Sequence, residues 1–176
     1  MKKGRNAKAK ISGEVKFHTI SQEETEEMNI KESIKAFGKA NSPLYIVDHD
    51  DGSFSLCLKL KDYGQEAFNA YAEEIGDPVM ENGKFYTHGN GYEWETVFRR
   101  AFADEPNLSK IYFDCEAGRF FCYADSLSLM EDLGSRFKVM IDDTEGFAYL
   151  VSSALREANQ DQIEKITEEV QMDVSM

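Results

Sequence analysis

An α+β fold is predicted by three features of the chain. Two segments alternate apolar and polar residues, longer segments place apolar residues three and four apart, and glycine- or proline-bearing turns separate them. The 176 residues are 41% hydrophobic and include 12 Phe and 8 Tyr, which suffices for one core and excludes a disordered composition. We read residues 14–156 as a single domain of antiparallel β-hairpins packed with several amphipathic helices. A flexible basic tail (1–13) precedes it, and an acidic C-terminal helix extension or tail (157–176) follows.

Val15, Phe17 and Thr19 alternate and permit a short strand. Residues 22–38 put Ile30, Ile34 and Phe37 on one helical face, with Glu27 four residues before Lys31; Gly38 and Asn41-Ser42-Pro43 end that segment. The clearest β signal is residues 44–61. An apolar run from Leu44 to Val47 is followed by Phe54, Leu56, Leu58 and Leu60 in alternation, around His49-Asp50-Asp51-Gly52. Asp-Gly is favoured in two-residue hairpin turns because both central residues need positive φ. Phe68, Tyr71, Ala72 and Ile75 mark the next helix, stopped at Gly76-Asp77-Pro78, and residues 79–90 read as a polar loop or short strand.

A strongly amphipathic helix carries Trp94, Val97, Phe98, Ala101 and Phe102, with Asn90 as its cap. Ile111–Phe113 and Phe120–Tyr123 form two strands joined at Glu116-Ala117-Gly118, where Gly118 is expected in a left-handed conformation. Ser126 caps a helix bearing Leu129, Met130, Leu133, Phe137 and Met140. A last helix opens near Thr144 with Phe147, Leu150, Val151, Ala154 and Leu155, extendable through Ile163, Ile166 and Val170.

The net charge is −13, unevenly spread: residues 1–16 carry six Lys or Arg against Glu14, so the remainder carries −18. Phosphates repel a surface that acidic, which excludes nucleic acid as the expected partner. A basic protein is favoured, because complementary fields steer encounter; solubility alone is the competing account of the charge. Cys57, Cys115 and Cys122 lie in apolar runs with no metal-ligand spacing, so buried free thiols in a reducing cytoplasm are expected. No apolar stretch of signal-peptide or membrane-spanning character is present.

No nucleophile elbow, zinc helix, phosphate loop or calcium loop occurs, so no catalytic residue, metal or cofactor is assigned. His18, His49 and His88 are isolated, although a Cys115–His88 pair stays open until a fold is known. Glu93 and Glu95 in a first helical turn repel phosphate and favour the helix dipole. Asp48, Asp50 and Asp51 make a dense acidic tip, or simply serve the turn. Tyr92 lies off the apolar stripe and is expected to be exposed, whereas Trp94 starts it and is expected in the core.

Two segments occur in a recognisable order: Gly89-Asn90-Gly91-Tyr92-Glu93-Trp94-Glu95, then Ile111-Tyr112-Phe113-Asp114-Cys115-Glu116-Ala117-Gly118-Arg119-Phe120, followed by Tyr123. With the preceding hairpin and its Phe54-Ser55-Leu56, this pattern resembles immunity protein family 51 of bacterial polymorphic toxin systems, over residues 44–133. The resemblance implies a cytosolic protein that binds a cognate toxin domain and blocks it. The acidic bulk suggests a basic toxin such as a nuclease. Such a protein needs a preformed surface rather than a catalytic residue. The expected partner-binding residues are Asp48, Asp50, Asp51, Tyr92, Glu93, Asp114 and Glu116, of which the last two could instead brace the turn. Two rivals are a small-molecule or enzymatic domain, which would need a pocket near His88, Asp114 or Glu116, and a scaffolding homodimer.

Overall fold

A computed structural model describes residues 22–60, 62–77 and 87–174. The expected strand at Val15–Thr19, the basic tail and most of the expected loop or short strand at 79–90 lie outside the described residues.

The elements follow the order α1 (Gln22–Ala40), β1 (Leu44–Asp48), β2 (Phe54–Lys59), α2 (Gln65–Ile75), α3 (Gly91–Ala101), a 3₁₀ turn (Leu108–Lys110), β3 (Tyr112–Phe113), β4 (Arg119–Ala124), α4 (Leu127–Asp142) and α5 (Thr144–Val174). The four strands form one antiparallel sheet in the order β1-β2-β4-β3. The α+β reading therefore holds.

Register decides which side chains share a face, since alternate residues point oppositely. Leu44, Leu58 and Phe120 lie in one row, Ile46, Leu56 and Cys122 in the next, and Phe54 and Ala124 in a third. All eight are buried. The helices pack on that face, where Phe98, Phe120 and Phe137 meet with ring centroids 5.0–6.1 Å apart. α1 contributes Phe37, which packs where α4 has Gly134; a methyl there would come within 2.6 Å of the Phe37 ring and 2.9 Å of Leu56.

The helix ends follow from specific residues. Gly64 (φ 71°) precedes α2 and Gly76 (φ 79°) ends it, both in the left-handed region open to glycine. The Ser126 hydroxyl accepts from the Leu129 amide at the start of α4. Helix α1 does not stop at Gly38 but runs to Ala40. Asn41 ends it, its side chain donating to the Phe37 carbonyl. Helix α5 is continuous past the core. Phe147, Val151, Ala154 and Leu155 are buried, whereas Ile163 and Ile166 are exposed.

Two turn expectations are corrected. The β1–β2 connection is not a two-residue Asp51-Gly52 turn: Asp48 pairs with Phe54 and the His49 amide donates to the Ser53 carbonyl. The positive φ values fall at Asp50 (58°) and Gly52 (89°), not at Asp51. Asp51 instead accepts from the Ser53 amide and hydroxyl, and Asp48 from the Asp50 amide, so side-chain bonds shape a wider loop. Gly118 is not left-handed; the Glu116–Arg119 turn closes through two mutual backbone bonds (3.0 and 3.1 Å) without a positive φ.

Two glycines of similar helical setting should respond oppositely to alanine. At Gly38 an added methyl meets nothing within 4 Å, so Gly38→Ala is expected to stabilise by about 0.5–1 kcal/mol. Gly134→Ala drives a methyl into Phe37 and is expected to cost about 1–3 kcal/mol. Urea denaturation followed by the fluorescence of the single Trp94 measures both.

Candidate partner-binding surface

The two sequence motifs meet. Gly91 opens α3 against the β3–β4 turn, and its amide donates to the Glu116 carbonyl at 3.1 Å. A Cβ on Gly91 would stand 2.1 Å from that oxygen and 2.2 Å from the Arg119 carbonyl, so only glycine fits. Asn90 caps the helix by accepting from the Tyr92 and Glu93 amides. Glu93 answers by accepting from the Asn90 amide, the reciprocal arrangement of a capping box. Gly89, at φ 98°, adds its amide to the same Glu93 carboxylate. Trp94 then enters the core between Phe68 and Phe147, with ring centroids 5.1 and 5.4 Å away.

His88 completes this corner. Its Nδ1 lies 2.5 Å from Glu93 and its Nε2 3.0 Å from Asp77, while its ring stands edge-on to Tyr71. Burial lowers its proton affinity, but the bonds to the Glu93 and Asp77 carboxylates outweigh that, and its pKa is raised above the ordinary histidine value. The Gln65 amide reaches the His88 carbonyl, and Asn159 of α5 reaches the Tyr71 hydroxyl, so α2, α3 and α5 are tied together here.

The residues expected to bind a partner fall in three places. Glu93 and Glu116 belong to the junction just described, Glu93 through its carboxylate and Glu116 through its backbone carbonyl. Tyr92 stands beside it, 60% exposed. Asp48, Asp50 and Asp51 lie at the opposite end of the sheet: the register runs from Phe54↔Ala124 near the tip to Lys59↔Arg119 near the junction, a separation of roughly 17 Å. Asp114 lies between, exposed, with its amide donating to the Phe121 carbonyl.

Asp114 thereby shares the second face of the sheet, which sequence reasoning did not single out. Tyr45, Phe121, Tyr123 and Tyr112 all fall on it by register, around the small Ser55 and Cys57. Tyr112 and Tyr123 are cross-strand partners with rings stacked at 5.4 Å. His49 reaches onto the face, its Nε2 2.5 Å from the Ser55 hydroxyl and its ring 6.3 Å from that of Phe121. The available signal was alternation: Phe121 and Tyr123 are out of phase with the buried Phe120, Cys122 and Ala124.

The chemistry of the remaining groups is quiet. All three cysteines are free and buried. Burial pushes the Cys57 and Cys115 thiols up to about 11 and Cys122 well above its usual range, so they are poor nucleophiles. Cys115 bonds the Phe121 backbone and His88 its two carboxylates; the two do not form a pair. Among the described residues no cluster of His, Cys, Asp and Glu could hold a metal, and no helix is long and apolar enough to cross a membrane. A cavity of about 370 Å³ opens between α2, α4 and α5 over Ile141 and Phe147, but His88, Asp114 and Glu116 do not line it.

The family model for Immunity protein 51 matches residues 44–158, well over half of the chain. The chain belongs to the Immunity protein 51 family. The match reaches 25 residues beyond the Leu133 limit of the motif resemblance, into α5, whose Phe147, Val151 and Leu155 close the core over α2 and α3. Helix α1 lies outside it. No curated protein and no solved structure gives a significant match. Membership in an immunity-protein family points to a non-enzymatic, protein-binding role.

The His88 corner carries a pH signature. Because its folded pKa is raised, the stability contributed by protonated His88 is fully present below the unfolded value near 6.5 and is lost as pH rises through the folded value. The stability difference between the parent chain and His88→Gln is expected to shrink between pH 5.5 and 8.5. Denaturation midpoints across that range measure it, and a constant difference would contradict the assignment.

Proposed function

We propose that this immunity-family protein acts in the cytoplasm by binding a cognate toxin domain and blocking it. In this reading the toxin is basic, as a nuclease would be, and the complex needs no catalytic group from this chain. The observation that carries the reading is the family membership over residues 44–158. Two features support its finer part. Residues beyond the first sixteen carry −18 of formal charge, and three carboxylates stand together on a hairpin tip, Asp50 and Asp51 exposed and Asp48 half-buried. An acidic surface of this kind accelerates encounter with a basic partner and repels nucleic acid. A standard complex would bury about 800 Å² on each side, which the tip alone does not supply. The footprint therefore extends from the tip to Asp114 and the open sheet face, while Tyr92 marks a second margin. Residues 14–156 form the binding domain in this proposal, with the basic tail and the acidic end of α5 as additions.

Affinity capture from the native lysate at low and high salt, with mass spectrometry of the bound proteins, tests the reading. The expected result is one basic toxin domain, released by salt; consistent recovery of metabolic enzymes or metabolites would contradict it. With the partner in hand, Asp50→Asn and Asp51→Asn preserve the loop's side-chain acceptors while removing its charge. The pair is expected to slow association several-fold and flatten its dependence on salt, with little change in dissociation. Unchanged association rates over a salt series would remove the tip from the binding site.

A further inference from the structure

We infer that the Tyr112–Tyr123 end of the open sheet face is an arginine-reading surface, which docks a guanidinium-rich segment of the protein partner. The inference deepens the toxin-binding proposal and rests on it for the partner's identity as a protein. Its observations are separate. Tyr112, on the edge strand β3, is 61% exposed and stacks on Tyr123 at 5.4 Å, and Phe121 continues the aromatic surface 6.2 Å further on. No described helix packs on this face; α1, α3 and α4 all meet the sheet on the side of Leu56 and Phe120.

Charge distinguishes the two ends of the face. Near Tyr123 the register brings Ala124 beside Phe54, so the exposed Asp125 follows β4 at the same end as Asp48, Asp50 and Asp51. Among the described residues, basic groups at that end include Lys31, which is held by Glu27 and sits within the field of Asp50 and Asp48 on the side of α1, together with Lys110 just before β3 and the neighbouring His49. Lys59 and Arg119 occupy the other end. On the open side the aromatic rings are bordered by Asp114, which stands opposite Phe121, and by Asp125 at the end of β4, whereas Asp48 falls in the packed-face row with Phe54.

That pairing suits arginine more than lysine. A guanidinium is planar, stacks on an aromatic ring and still presents its N–H groups to a carboxylate. The chain does this internally, where Arg99 lies 4.0 Å above the Phe113 ring and bonds Glu95. Single-stranded nucleic acid also stacks on aromatic sheets, but its phosphates would meet the carboxylates of Asp114, Asp125 and the hairpin tip. A second copy of this chain would bring like charge to the same place.

The test titrates ¹⁵N-labelled full-length chain with octa-arginine, octa-lysine and oligothymidylate at fixed ionic strength. Expected are amide shifts centred on residues 47–51, 112 and 121–125, with octa-arginine bound several-fold tighter than octa-lysine. Tyr112→Ala with Tyr123→Ala should weaken octa-arginine about tenfold. The Tyr112→Phe, Tyr123→Phe pair should retain binding, which separates loss of the surface from loss of the fold. Tyr149→Ala, on an exposed tyrosine of α5, should change nothing. Equal affinity for the two peptides, shifts spread over α1 and α5, or preference for oligothymidylate would overturn the inference. The peptides replace the toxin, so failure here leaves the immunity reading to be judged by its own capture experiment.

Discussion

Among the described glycines the tightest constraint is the meeting of Gly91 with the β3–β4 turn. One amide donates to one carbonyl at 3.1 Å, and the absent side chain lets the helix start press onto the Glu116 and Arg119 backbone. The hydrogen bond itself contributes about 1 kcal/mol, but its position matters more than its strength. It fixes where α3 begins, and hence where Trp94, Val97 and Phe98 descend into the core. Gly64 makes the complementary allowance on α2, since a methyl there would stand 2.8 Å from the Trp94 ring. The two segments, separate in the chain, thus meet at a single contact in space.

This has a consequence for where binding can occur. The most distinctive polar residues, Asn90, Glu93 and His88, are occupied in capping α3 and tying it to α2 and α5. A carboxylate that accepts two backbone amides and faces an imidazole is costly to redirect toward a partner. The surface left available is made by residues whose own bonds are local. At the hairpin tip the side chains of Asp48 and Asp51 shape the loop, and Asp50 and Asp51 remain open to solvent. On the second sheet face, large aromatic rings shelter Ser55 and Cys57, and no described helix packs over them. In the proposed reading, scaffold and recognition surface are therefore drawn from different parts of the chain, the first from the start of α3 and the second from the sheet and its β1–β2 loop.

Most of the elements were legible because their cause is local. The i, i+3, i+4 spacing of Trp94, Val97 and Phe98 gave α3, Asn90 gave its start, and Gly76 gave the end of α2. The turns were read less well because identity underdetermines φ. Asp-Gly suggested a two-residue turn, but the side chains of Asp48 and Asp51 favoured a longer loop. Gly118 suggested a left-handed residue, but the Glu116–Arg119 bonds close without one. The open aromatic face was least legible. Its members come from three segments, and only the order β1-β2-β4-β3 with its register brings Tyr45, Phe121, Tyr123 and Tyr112 together. The acidic tip was visible as a local run, whereas its distance from Glu93 and Glu116 depended on that same register.

That the two sequence segments meet to build this junction is tested most directly by Gly91→Ala, unfolded in urea with Trp94 fluorescence as the probe. Alanine is ordinarily the better residue in a helix by about 1 kcal/mol. If the junction is as close as described, the methyl must displace two backbone carbonyls, and the substitution is expected to cost about 3 kcal/mol and to shift the Trp94 emission in the folded state. A neutral or stabilising effect would show that α3 can start without touching the β3–β4 turn, and would contradict the account.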